Sequence, residues 1–310
     1  MNTPARLLQI HGVTVDLIYY VEALPKQGRE ASVSKFNISP GGGFNAMVAA
    51  KRSGLDVTYA GAVGGGPLGG LVLDTLKSED IDCLQQPDRN RDQGCCTVMI
   101  DQSGERTFVA GTGAEGYIGE ADLQRIKLSD YGWSLISGYT LYYMGSRQAV
   151  TRWLMSDMDI PNLIFDPAPI IGSIPQENLQ AVLARAAWVT ANAAEAKILT
   201  GESNLDRAAH LLAEGRSGGA VVRDSDRGCF IAWDGQMRRV KAHNVKPIDT
   251  NGAGDAHVGS FIASLARGLS PAESAHYANV TAALSTTHYG PAAAPSLAKI
   301  EEAIGPERPV

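Results

Sequence analysis

The chain has 310 residues, 44% hydrophobic and 19% charged, a balance that fits one large folded core and leaves no long stretch too polar to pack. A formal charge of −6, with Lys and Arg scattered singly, supplies no basic stripe and argues against nucleic acid as a partner. The opening MNTPARLLQIHG lacks the apolar core of a signal peptide and no run approaches the about 20 apolar residues of a membrane span, so a cytoplasmic protein with no membrane partner is expected.

In chain order, short apolar runs alternate with longer amphipathic ones. RLLQIHG, VTYAGAVG, NLIFDPAP, AAWVTAN and GAVVR read as buried strands. Between them NAMVAAKRSG, LGGLVLDTLKSED and AAEAKILTG read as helices, the first and third ending in Gly54 and Gly201. This alternation predicts an α/β fold, a doubly wound, mostly parallel sheet with helices on both faces. Two stretches break the rhythm. Residues 17–38 and 94–110 read as antiparallel strand pairs, the second turning at Asp101 to Gly104, and together they predict a small β-sheet lid on one domain of residues 1–310. Late in the chain Val258, Phe261, Ile262, Leu265 and Leu269 recur at helical spacing. A second helix then starts at Ser270-Pro271-Ala272-Glu273, with a capping serine, a first-turn proline and a glutamate three residues after the cap.

The four cysteines, Cys83, Cys95, Cys96 and Cys229, form no C-x-x-C pair, and the six histidines form no metal-binding pair, so a structural zinc site has no support. The stretch with chemistry in it is DTNGAGD, Asp249 to Asp255. Its glycines let the backbone turn tightly and aim successive N–H groups outward, where the helix that follows adds the positive end of its dipole. A phosphate-sized group on the amides of Gly252, Ala253 and Gly254 would lie beside the carboxylate of Asp255. Two negative groups side by side make sense for phosphoryl transfer, in which the carboxylate takes a proton from an attacking hydroxyl while the amides stabilise charge on the transferred group. The helix N-terminus is expected to favour the ionised carboxylate. A second reading, Asp255 as a residue that satisfies free N–H groups at the helix start, stands equally on this heptapeptide.

The segment resembles the DTxGAGD motif of the ribokinase-like (PfkB) carbohydrate kinase family at Asp249, Thr250, Gly252, Ala253, Gly254 and Asp255. Further similarities follow in the family's order: HGVTVD at 11–16, PGGGFNAMVAAKRSG at 40–54, AGAVGGGPLGGLVLDTLKSEDID at 60–82, GERT at 104–107, NAAE at 192–195 and ALSTTHYGP at 283–291. The resemblance implies a ribokinase-like fold, Asp255 as base and the Gly252-Ala253-Gly254 amides as anion hole. It implies that Asp16, Gly41, Gly42 and Asn45 bind sugar, a carboxylate having enough acceptor positions for two neighbouring hydroxyls. It also implies that Glu195 organises Mg²⁺, usually through water, and that Asn192, Ser225, Gly228 and Asn279 lie on the nucleotide side. A monovalent cation such as K⁺ would sit behind the anion hole, held largely by backbone oxygens of residues that include Asp249, Asn251, Ser285, His288 and Gly290. GGGFN is one residue shorter than the family's glycine-to-Asn spacing, DPAP at 166–169 lacks the usual Asn and basic residue, and GGGPLG at 64–69 lacks an Asp often found there. Arg106 would face the pocket or pair on the lid.

The activity this implies is ATP-dependent, Mg²⁺-requiring phosphorylation of a hydroxymethyl group of a small sugar, of the pentose or ketohexose class. A nucleoside acceptor is one alternative, with Tyr19, Tyr20 and Phe108 placed to stack on a base or to pack the strands; a non-catalytic sugar- or nucleotide-binding protein is another. GGGPLG also satisfies the dinucleotide pattern G-x-G-x-x-G, but no acidic residue ends a strand about 20 residues on and Pro67 would sit inside the turn. Lid strands pairing between subunits would make a homodimer.

Overall fold

The computed structural model describes residues 5–290 and 292–305. Thirteen strands occur among them: β1 (Arg6–Gln9), β2 (Val13–Val21), β3 (Val33–Gly42), β4 (Asp56–Tyr59), β5 (Asp82–Cys83), β6 (Cys95–Ile100), β7 (Arg106–Gly111), β8 (Trp133–Ser137), β9 (Leu163–Asp166), β10 (Trp188–Asn192), β11 (Gly219–Arg223), β12 (Cys229–Trp233) and β13 (Gln236–Val240). Nine form the main sheet in the order β13-β12-β11-β10-β9-β8-β1-β4-β5. Its pairs are parallel from β11 to β5, and β12 and β13 continue it antiparallel.

Both faces of this sheet are covered because the strands are apolar on both. Leu7, Leu135, Ile164 and Val221 point into one core with Met47, Val258, Phe261 and Ile262. Their strand neighbours Leu8, Ile136, Phe165 and Val222 point into the other with Leu154, Val182 and Leu212. The strand β8, WSLIS, lies near the middle of the sheet and is missing from the sequence reading. Its Ser134 and Ser137 are fully buried yet break the apolar run that would mark a strand.

The remaining four strands form a second sheet in the order β3-β2-β6-β7. Two antiparallel hairpins are joined by a parallel pair that registers Asp16 with Cys96 and Tyr20 with Ile100. The first hairpin is longer than residues 17–38, running from Val13 to Gly42, because β3 is an edge strand in which Pro40 breaks no ladder. Buried Glu115 pins the root of this sheet, accepting from the amides of Gly94 (2.8 Å) and Gly113 (2.9 Å) and from Gln93 Nε2 (3.2 Å). Alternation along the strands puts Asp16, Tyr20, Cys96, Phe108 and Arg106 on one face and Leu17, Tyr19, Phe36, Ile38 and Val109 on the other.

Two helices bring the late motif to the sheet. Gly43–Arg52 crosses Ala253–Ala266 closely because residue 259 is glycine: a Cβ there would collide with the carbonyl oxygen of Ala46 and stand 2.9 Å from Ala49 Cβ. That close approach is what allows Asn45 to reach Asp255.

Candidate active site

Of the residues named from the sequence, Asp16, Asn45 and Asp255 lie together, and Asp166 and Arg223 at the ends of β9 and β11 link Asp255 to Glu195. Asp255 lies in the first turn of Ala253–Ala266, and Gly252, at φ 74°, is the cap residue that turns the chain into it. A left-handed φ suits glycine, and a side chain at 252 would also press on Asn45 at 3.0 Å. Gly254 is exposed and faces open space, while the amide of Ala253 donates to the carbonyl of Thr250 at 3.4 Å.

Asp255 does not behave as a surface cap. Its Oδ2 accepts from Asn45 Nδ2 at 3.2 Å, and its pKa is raised to about 7, first by burial, then by the neighbouring charge of Asp166. Asn45 and Arg223 oppose that rise and Asp16 adds to it. Part of its surface is still accessible, as a group must be to meet a ligand, while the atoms packed around it exclude enough water to penalise the charge. Burial thus works against the ionised carboxylate that the helix start is expected to favour.

Asn45 is 4% exposed, and its amide donates to Asp255 and accepts from the amide of Ala292 at 2.8 Å. Asp16 sits on the cleft face of β2 against Gly41, where a Cβ would strike its carboxylate. Its pKa is raised to about 6 by burial, opposed by the nearby Asn251 side chain. Gly42, at φ 58°, makes the turn into the helix Gly43–Arg52.

Asn192 and Glu195 pair with each other at the end of β10. Glu195 accepts from the backbone N (2.8 Å) and Nδ2 (2.7 Å) of Asn192 and returns its own amide to Asn192 Oδ1 at 2.9 Å. Glu195 is only 3% exposed, so it is no solvated first-turn residue, and burial followed by the charge of Asp166 pushes its pKa up. Beside it Arg223, the last residue of β11, stands 3.4 Å from Asp166 Oδ1 and 3.6 Å from Glu195 Oε2 and donates to Thr190 Oγ1 at 2.7 Å. Burial raises the Asp166 pKa, with Arg223 pulling it down. Sequence reading missed Arg223 and gave Asp166 no role. The available signal was a charged residue closing each of two apolar strands, LIFD and GAVVR, at the same sheet edge. Tyr139, whose ring stacks 6.1 Å from that of buried His11, was also missed; Asp255 lies near enough to raise its pKa further, after burial.

Asp166 and Glu195 are hard oxygen donors at this edge, but Glu195 is bonded to Asn192 and both face Arg223, so a magnesium ion would meet them through its water shell. The turn after β11 holds Ser225 at φ 54° and Gly228 at φ 94°, so Ser225 adopts the left-handed conformation that glycine fills in the family motif. Asn279 is 5% exposed, and its amide bonds to His257 Nε2 (3.1 Å) and the carbonyls of Val240 and Lys241 (3.1 and 3.0 Å), bracing the segment after β13 from inside.

The side chains of Asp249, Ser285 and His288, residues expected around a monovalent cation, have partners within the protein. Asp249 Oδ1 accepts from Arg106 Nη2 at 2.6 Å and from the amide of Asn251 at 2.9 Å, and its Oδ2 accepts from the amide of Gly290 at 3.1 Å. Ser285 Oγ donates to the carbonyl of Ala282, and His288 Nδ1 lies 3.0 Å from Thr287 Oγ1. With both Asp249 oxygens taken by N–H donors, this set does not fit a bare cation at that side chain. Among the described residues no three His, Cys, Asp or Glu side chains converge as a metal cage, and no helix is long and apolar enough to cross a membrane.

A doubly wound sheet with a small second sheet over its strand ends, and a Gly-Ala-Gly turn leading to a buried Asp, is the frame of a phosphotransferase acting on an alcohol. The family model of the pfkB family carbohydrate kinases matches residues 6–298, and the chain belongs to that family. It is 27% identical over 301 residues to the uncharacterized sugar kinase YegV of Escherichia coli, covering 96% of this chain and 93% of that protein. Its fold is that of the nucleoside kinase of Methanocaldococcus jannaschii (TM-score 0.82, 16% identity, 98% and 99% of the two chains). It is equally that of Arabidopsis thaliana ribokinase complexed with ribose and ATP (TM-score 0.78, 18% identity, 98% and 99%). The protein is thus a sugar or nucleoside kinase of the ribokinase family.

Proposed function

We propose that the protein transfers the γ-phosphoryl group of ATP to a hydroxymethyl group of a small sugar, of the pentose or ketohexose class, with Asp255 as general base. The observation that carries this reading is the Asp255 carboxyl itself, set on the first helical turn beside exposed Gly254 and raised to about 7, where a base both exists ionised and has driving force to take a proton. The acceptor oxygen attacks the γ-phosphorus as its proton passes to Asp255, and ADP departs with the electrons of the broken P–O bond. The amides of Gly252, Ala253 and Gly254 form the anion hole for the charge on the transferred group.

Asp16, with Gly41 and Gly42 beneath it, binds sugar hydroxyls, and Asn45 acts by holding Asp255 in line. Glu195, oriented by Asn192, organises Mg²⁺ through water, and that ion when bound neutralises phosphate charge. Ser225 and Gly228 border the nucleotide. The small sheet serves as a lid, its Asp16 face turned to the acceptor and excluding water. The opposite face presents Phe36, Ile38 and Val109, 49%, 43% and 61% exposed, which supports pairing of two lids in a homodimer. A cytoplasmic site, where ATP is supplied, agrees with four cysteines present as free thiols.

Nucleoside acceptors are the second reading, favoured by Tyr20 and Phe108 on the cleft face of the lid, while Tyr19 packs on Phe36 on the other face at 4.9 Å between rings. ADP formation measured across pentoses, ketohexoses and nucleosides separates these acceptors. No acceptor-dependent turnover with any of them, with ATP still bound, would favour a binding protein and sink the kinase mechanism.

A further inference from the structure

The ion pair between Arg106 and Asp249 joins the two sheets at the loop that leads to the catalytic turn. Arg106 opens β7 on the cleft face of the small sheet, and Asp249 begins the motif that ends in Asp255; their side chains are 29% and 10% exposed. This seam has other stitches. Lys35 Nζ lies 5.0 Å from the ring centre of Tyr289, and the Asn251 side chain lies near enough to Asp16 to lower its pKa. Within the main domain the amides of Ile248 and Asp249 both donate to the carbonyl of Thr286, at 2.7 and 3.0 Å, so the two late loops are already fastened to each other by the protein alone.

Asp249 poses an electrostatic problem for phosphoryl transfer. A carboxylate in the loop that leads into the anion hole repels the group the amides must attract, and a cation beside it removes that repulsion. In this chain the cation is present as a side chain. The guanidinium of Arg106 stands 2.6 Å from Oδ1, which also accepts from the amide of Asn251, and Oδ2 accepts from the amide of Gly290. A second positive charge at that carboxylate would face N–H hydrogens and the repulsion of the guanidinium.

We propose that Arg106 is a built-in substitute for a monovalent cation: a positioning residue whose guanidinium neutralises Asp249 and holds the 249–254 loop in working order, so that the protein needs no K⁺. This rests on the kinase reading for its purpose, though not for its test. Arg106 touches neither the acceptor nor the reacting atoms. Arginine suits the task because its charge is permanent and its planar donors hold a carboxylate in one geometry, which a lysine does less well.

The test uses the full chain as wild type, Arg106→Ala and Arg106→Lys, in KCl and in tetramethylammonium chloride at equal ionic strength. Melting temperature is read without nucleotide, since a cation that binds the folded state raises it by mass action. The wild type is expected to melt within about 1 °C in the two salts, and Arg106→Ala to melt about 2 °C or more lower in tetramethylammonium and to recover in K⁺. Arg106→Lys, which keeps the charge, is expected to fall between them and to gain less from K⁺. Acceptor-dependent turnover should follow the same order, with kcat of Arg106→Ala reduced about tenfold or more, KM for ATP nearly unmoved, and kcat partly restored by K⁺. A wild-type protein that gains stability or rate from K⁺, an Arg106→Ala variant equal to wild type in tetramethylammonium, or a damaged variant that K⁺ leaves unchanged would each overturn the proposal. Absence of turnover with every acceptor would overturn the kinase reading alone, because the melting comparison decides the cation question without it.

Discussion

Asn45 donates its Nδ2 hydrogen to Oδ2 of Asp255 at 3.2 Å, a bond between residues 210 positions apart that ties together the two helices that approach closely at Gly259. A hydrogen bond to the carboxylate favours its ionised form, so Asn45 draws down a pKa that burial has raised to about 7. Activity that depends on ionised Asp255 should fall as pH drops through about 7. Asn45→Leu removes the donor, and the acid limb of the kcat profile should move to higher pH, with kcat at neutral pH down about tenfold. An unchanged limb would mean that another group sets it.

The same burial has a sign for stability. The folded protein keeps a proton on Asp255 that the unfolded chain, with a carboxyl of about 3.8, has already released, so stability from this group is lost as pH rises from about 4 to about 7 and changes little beyond. Asp255→Asn carries no such cost. Its melting temperature should exceed that of the wild type by about 2–4 °C at pH 8, with the gap closing toward pH 4. A variant that melts below wild type at pH 8 would contradict the desolvation of Asp255.

Arg223 sits between two buried carboxylates, and removing it leaves both uncompensated. Arg223→Met should cost about 3 kcal/mol or more of stability in chemical denaturation. Adding Asp166→Asn to it should recover part of that loss, a coupling that a merely steric role for Arg223 would not produce. Because Arg223 also lowers the Asp255 pKa, its loss should move the acid limb of activity upward.

Gly259 is a spacing residue. Gly259→Val forces a side chain into the carbonyl of Ala46 and should cost about 1–3 kcal/mol. By parting the two helices it should lengthen the Asn45 to Asp255 contact and lower kcat more than it weakens ATP binding. Equal melting curves for variant and wild type would show that the helices can separate freely.

The sheet, its helices and the DTNGAGD turn were legible because they rest on local signals: apolar periodicity, capping residues and glycines at a tight turn. Strand β8 escaped because buried serines, invisible to hydropathy, fill positions where tertiary packing tolerates them. Asn45 and Asn279 entered through the family resemblance, and their partners, Asp255 and His257, depend on helix crossing, which a one-dimensional pattern does not contain. The pairing of Arg106 with Asp249 spans 143 positions and joins separate sheets, so only the docked arrangement reveals it. Likewise the raised pKa of Asp255 arises from Asp166 and burial, two facts about neighbours in space.

The most direct test of the central claim compares wild type with Asp255→Asn for acceptor-dependent ADP formation, alongside ATP affinity by calorimetry. Loss of a general base and of its alignment should reduce kcat by about 10²–10⁴-fold, while the Kd for ATP changes by less than about threefold. An Asn variant that keeps near wild-type turnover while binding ATP normally would contradict Asp255 as the base and return it to the role of a helix-start residue.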